Sequence, residues 1–163
     1  NALTNRRRLW WVCGAGWGAE GGGAGAGGGR ADVVVPARSA REPVVDGRLV
    51  RDGAVVLAVG SHEPDARELD SVLMGRATVL VESRATALRE AGDVIMAIHA
   101  GALAPDGLVT LADLNGSWGD VPAGRPLVVK TCGMGWQDLV VAVAAHRRKE
   151  REERKEGTPG ERS

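Results

Sequence analysis

The chain contains no phenylalanine and no tyrosine, although apolar residues make up 44% of its 163 positions. A core built on those rings is excluded. Its volume must come from Val, Leu and Ala, with five Trp as the large side chains. That apolar content still argues against disorder along the whole length. No apolar run approaches the ~20 residues that span a bilayer. No secretory signal is evident either, because the basic start RRRLWWVCGAGWG carries only a very short apolar stretch. Neither sign of charge is in excess: Lys plus Arg and Asp plus Glu number 21 each. The balance leaves no electrostatic footprint for nucleic acid or a membrane surface. Cysteine is scarce too. Cys13 and Cys132 sit far apart in apolar surroundings, which suits reduced thiols in the cytoplasm better than a disulfide framework. His62, His99 and His146 are equally scattered, so the spacing fits no metal site and no metal is expected.

What is present is a set of short, apolar, β-branched runs separated by helical patterns. Leu9–Cys13, Ala31–Val35, Gly53–Val59, Ala77–Val81 and Pro126–Lys130 read as strands. Val55–Val59 carries no charge, as expected for a strand covered on both faces. Between the strands, Pro43–Val50 reads as a turn and short helix and Arg67–Met74 as another short helix. Ser83–Gly92 reads as a helix capped by Ser83 and ended by Gly92. Asp93–Ala104, Leu108–Leu114 and Trp136–Arg154 read as helical as well. Strands alternating with helices predict an α/β fold with a parallel sheet and flanking helices.

Three parts follow from composition. Residues 1–30 form a loose N-terminal segment with a glycine-rich linker, 31–146 form the α/β portion, and 147–163 form a charged tail that frays beyond Gly157. Gly14-Ala15-Gly16 invites comparison with the G-x-G-x-x-G dinucleotide fingerprint, with Ala19 in the third place. The glycine-rich stretch after it is a poor helix. Asp32 follows too soon for a βαβ unit of ~30 residues, so a low-complexity linker is the better account.

The Gly53–Asp70 stretch, GAVVLAVGSHEPDARELD, is the most informative. A buried strand reaches Val59, turns at Gly60 and delivers Ser61, His62 and Glu63 at its carboxyl end. Ligands bind at that end in open α/β sheets. His62 has the chemistry to donate a proton or orient a carboxylate near neutral pH; its plain alternative is a surface loop histidine. Lys130-Thr131-Cys132-Gly133 ends another strand and offers a hydroxyl and backbone N–H groups before the last helix. Asp138, early in that helix, suits its dipole. Cys132 reads as a small core residue.

Three blocks, AVGSHEPDARELD, VESRATALREAGDV and VVKTCGMGWQD, resemble the ornithine cyclodeaminase/mu-crystallin family from about Ala31 to about His146. The resemblance covers only the later half of a family member. Together with a first residue that is Asn, it suggests a fragment whose phosphate loop lies upstream. It implies an incomplete Rossmann-like domain binding NAD or NADP. In intact relatives it implies an oxidoreductase or deaminase acting on imines or α-amino acids, usually as a homodimer. By the same resemblance, Val59, Gly60, Ser61 and Thr131 would contact the cofactor and Glu90 would lie near the substrate. An Asp regarded as catalytic in cyclodeaminases, and Ser in mu-crystallin-like members, stands where this chain has His62. That points away from ornithine deamination and makes His62 the catalytic candidate. A non-catalytic ligand-binding protein and an inactive truncated product are the alternatives. No nucleic acid or membrane partner is expected.

Overall fold

A computed structural model of the chain describes residues 9–12, 31–114 and 124–156. Six parallel strands form one sheet: β1 (Leu9–Val12), β2 (Val33–Pro36), β3 (Val55–Ala58), β4 (Thr78–Val81), β5 (Leu108–Thr110) and β6 (Leu127–Lys130). Their order is β1-β2-β3-β6-β4-β5. The parallel α/β architecture expected from the sequence is therefore the one observed. The glycine-rich linker, Cys13 and the end of the tail lie outside the described residues. The chain divides into two compact units, 1–132 and 133–163. The sheet belongs to the first. The second carries α4 (Gly135–Glu156), whose outer half is laced by i, i+4 pairs such as Arg148–Glu152 at 2.9 Å.

One sheet face makes the core. Val34, Val56, Ala58, Val79, Val81 and Val128 are buried there against Leu69, Leu73, Met74, Val94 and Ala97. The alternation of β3 and β6 leaves Val55, Leu57, Leu127 and Val129 half-buried on the other face. The expectation of a β3 strand covered on both faces is corrected accordingly. β2 and β4 instead bury three residues in succession, Val34, Val35 and Pro36 in one and Val79, Leu80 and Val81 in the other.

Capping accounts for the helix starts. Asp70 caps α1 (Ser71–Arg76) by accepting the Leu73 N–H at 2.8 Å, and its second oxygen takes the Gly47 N–H at 2.8 Å. Ser83 caps α2 (Arg84–Glu90) as expected. Gly92, expected to end α2, instead opens α3 (Gly92–His99). A Cβ there would strike the carbonyls of Ala66 and Glu63, so the position requires close backbone approach rather than a helix stop.

Two expected helices are absent. Pro43–Val50 is a bridge and a turn: Val45 pairs with Leu69, and Asp46 accepts the Arg48 N–H at 3.0 Å. The carbonyls of Gly47 and Val50 go to the Arg76 guanidinium, at 2.9 and 2.6 Å, instead of to a helical ladder. Leu108–Leu114 supplies edge strand β5 and a turn. Val109 and Thr110 favour the pleat, and Asp113 closes the turn by accepting the Thr110 N–H at 2.8 Å.

Gly92→Ala is expected to destabilise the chain by about 1–3 kcal/mol, as overpacking does. Urea unfolding measures it, and an unchanged midpoint would contradict the close approach.

Candidate functional site

The chain runs from β3 to β4 and β5 and then returns, inserting β6 between β3 and β4. Ala58 pairs with Lys130 and Val81 with Lys130, so three carboxyl ends lie side by side. A strand-order interruption of this kind is where open α/β sheets bind ligands.

The sequence pattern places a lysine in the core at this edge. Val128 and Lys130 share one face by the period of two, and Lys130 is only 1% exposed. Its neighbour Ala58 is small enough to leave room. The ammonium lies 3.3 Å from an oxygen of Asp93, which is equally buried. It also donates to the Ser61 carbonyl and, at 3.4 Å, to the Ala58 carbonyl. The other Asp93 oxygen accepts the N–H groups of Glu68 and Leu69 at 2.7 and 2.8 Å. Glu68 is itself buried, and its carboxylate accepts the N–H of Arg38 at 2.6 Å and of Gly60 at 2.7 Å. It thereby joins the segments that leave β2 and β3. Gly60 is obligatory, because a Cβ would meet the Arg38 backbone and the Glu68 carboxylate. Sequence reasoning missed Lys130, Asp93 and Glu68. Only the inward register of Lys130 signalled any of them.

A pocket of about 140 Å³ opens beside this cluster, lined by Ser39, Arg41, Gly60, Ser61, His62, Glu63 and Ala66. Of the predicted site residues it gathers Gly60, Ser61 and His62. His62 is exposed, and its ring makes no hydrogen bond among the described residues. The Ser61 hydroxyl turns inward to the Ala66 carbonyl. Val59 is 47% exposed, and its N–H reaches the Pro36 carbonyl at 3.3 Å. Thr131 is half-buried at the adjacent strand end, with its N–H on the Ala58 carbonyl at 3.2 Å. Glu90 closes α2 and is bound to Arg89 at 2.5 Å. Val59, Thr131 and Glu90 do not line the pocket. Arg41 is held by Asp65 and Glu63, which raises its pKa further. Cys132 belongs to the same edge, with its N–H on Glu82 at 3.1 Å. Burial pushes its thiol pKa up, against the opposing pull of Lys130. No His/Cys/Asp/Glu cluster fit for a metal exists among the described residues. None of the described helices is long and apolar enough to cross a membrane.

The sequence profile of the ornithine cyclodeaminase/mu-crystallin family matches residues 27–151. The chain belongs to this family. It is similar to the ketimine reductase mu-crystallin of Rattus norvegicus, at 38% identity over 119 residues, 69% of this chain and 34% of that protein. Its fold is similar to the Δ1-pyrroline-2-carboxylate reductase of Thermococcus litoralis, solved with NADH and L-proline. That likeness has a TM-score of 0.71 and 27% identity, over 77% of this chain and 40% of that one. The iminosuccinate reductase of Paracoccus denitrificans, solved with NAD+, gives a TM-score of 0.71 and 26% identity, over 79% and 40%. The chain thus spans about a third of the length of the curated mu-crystallins it matches. Family membership makes the sheet the Rossmann-like portion of an ornithine cyclodeaminase/mu-crystallin protein.

Two outcomes follow from this geometry. Glu68→Gln leaves one acceptor oxygen for two backbone N–H groups and is expected to cost about 1–3 kcal/mol, measured by denaturant unfolding. In a Cys13→Ser background, the raised Cys132 pKa means less thiolate at pH 8 in the folded than in the unfolded chain. Iodoacetamide labelling is therefore expected to be slow until urea unfolds the protein.

Proposed function

We propose that this chain is the nicotinamide-binding portion of an NAD- or NADP-dependent oxidoreductase that interconverts an imine and the corresponding α-amino acid. The observation that carries the reading is the Gly60–His62 corner. It projects an exposed imidazole into a pocket at the carboxyl edge, where β6 interrupts the strand order. The names and bound cofactors of the relatives support the same class. A pocket of about 140 Å³ admits one ring-sized group, and so fits the nicotinamide end rather than a whole dinucleotide. When bound, the cofactor supplies a hydride to the carbon bearing nitrogen.

The chain's own residues would do the rest. The backbone around Val59, Gly60 and Ser61 would border the ring. The Thr131 hydroxyl, which has no hydrogen bond among the described residues, would accept or donate one to the carboxamide. His62 would deliver a proton from its ring to the substrate nitrogen, as an imidazole does near neutral pH. Glu90, at the end of α2, would face an amino or imino group of the substrate.

Titration of the chain with NADH and NADPH, followed by cofactor fluorescence, tests this reading. Binding of one of them is expected, and Thr131→Ala should weaken it by about 1–3 kcal/mol, as loss of a buried polar partner does. Failure to bind either cofactor would contradict it. With NAD+ added, the chain is expected to release no ammonia from L-ornithine, because His62 stands where the cyclodeaminase resemblance places an Asp. Measurable ammonia would overturn that expectation.

A further inference from the structure

We propose that the buried Lys130–Asp93 pair is the positioning element of the candidate site, fixing the direction in which the Gly60–Ser61–His62 corner leaves the sheet. The inference rests on the reading of that corner as a site. Lys130 donates to two acceptors, the Ala58 carbonyl at 3.4 Å and the Ser61 carbonyl, while its charge is paired with the Asp93 carboxylate at 3.3 Å. The two carbonyls lie three residues apart in the chain, so the ammonium spans the corner as a chord. Turning both carbonyls inward leaves the next side chain, His62, to face out.

The opposite side of the corner is tied through Asp93. Its second oxygen holds the N–H groups of Glu68 and Leu69. The limb they belong to supplies the Ala66 carbonyl to the Ser61 hydroxyl and the Glu68 carboxylate to the Gly60 N–H, the latter at 2.7 Å. The corner is thus held from β6 by Lys130 and from the 66–69 limb by two further bonds. One aspartate couples the two supports. A pair that served only the stability of the sheet would need no contact with Ser61.

The full chain tests the inference with readouts that need no cofactor. Lys130→Met strands the buried Asp93 charge and threatens folding by itself. The deciding variant is therefore Lys130→Met with Asp93→Asn. It removes both charges and keeps an amide oxygen for the Glu68 and Leu69 N–H groups. Amide exchange is read at Gly60 and, as a core reference, at Val128. The His62 ring resonance, assigned with His62→Gln, is compared with those of His99 and His146. In the folded double variant, Gly60 exchange is expected to accelerate at least tenfold more than that of Val128. The His62 signal should move towards its unfolded position while the other two stay. Unchanged Gly60 exchange and an unmoved His62 signal would overturn the proposal. So would a double variant that does not fold, because the pair would then be a requirement of the sheet. A wild-type chain that binds neither NADH nor NADPH would remove the functional reading, while these ligand-free measurements would still decide the role of the pair.

Discussion

An ammonium group buried at the end of a sheet is the constraint on which this structure turns. Taking Lys130 out of water costs several kcal/mol, and only close, well-directed acceptors offset it. Two carbonyls accept its hydrogen bonds, and Asp93 at 3.3 Å supplies the opposite charge. The consequence reaches well beyond one contact. Asp93 must present its carboxylate at the start of α3, so Gly92 must let that helix press against the 63–66 turn. The 66–69 limb must then pass close enough for Glu68 to reach the backbone of Arg38 and Gly60. Three buried charged side chains in this way convert the ends of β2, β3 and β6 into one fixed edge.

That edge is also where the proposed chemistry would take place. The side chains proposed for it are few and simple: an imidazole, a hydroxyl and a carboxylate at a helix end. Their usefulness depends on where the backbone points them. A corner with its carbonyls and N–H groups bonded inward has little freedom left to relax when a ligand arrives, so less ordering has to be paid on binding. This is a reason to place charge in a core otherwise made of valine, alanine and leucine.

The parts of the fold that the sequence made legible are those with strong local signals. Val33–Pro36, Val55–Ala58, Thr78–Val81 and Leu127–Lys130 are apolar and β-branched enough to identify themselves as strands. Ser83 announces its helix. The misreadings occur where a distant partner overrides local preference. Arg76 claims the carbonyls that a Pro43–Val50 helix would have used. β4 recruits Leu108–Thr110 as an edge strand. Gly92 looks like a helix stop because its real partner, the Ala66 carbonyl, lies far back in the chain. At the site, the exposed corner was legible from its position after a strand and a glycine. The residues that hold it were not. Glu68 reads as one more charge in a polar run, Asp93 as a helix-start acid and Lys130 as the polar end of a strand. Only the alternation with Val128 shows that Lys130 points inward.

The central claim is that Lys130 is a charged, hydrogen-bonded group inside the sheet, and the chain contains only three lysines, Lys130, Lys149 and Lys155. The most direct measurement is a 15N–1H correlation of the lysine ammonium groups near neutral pH. The account predicts one ammonium signal protected from exchange with water, which disappears in Lys130→Met. Rapid exchange of all three ammonium groups in the folded chain would contradict it.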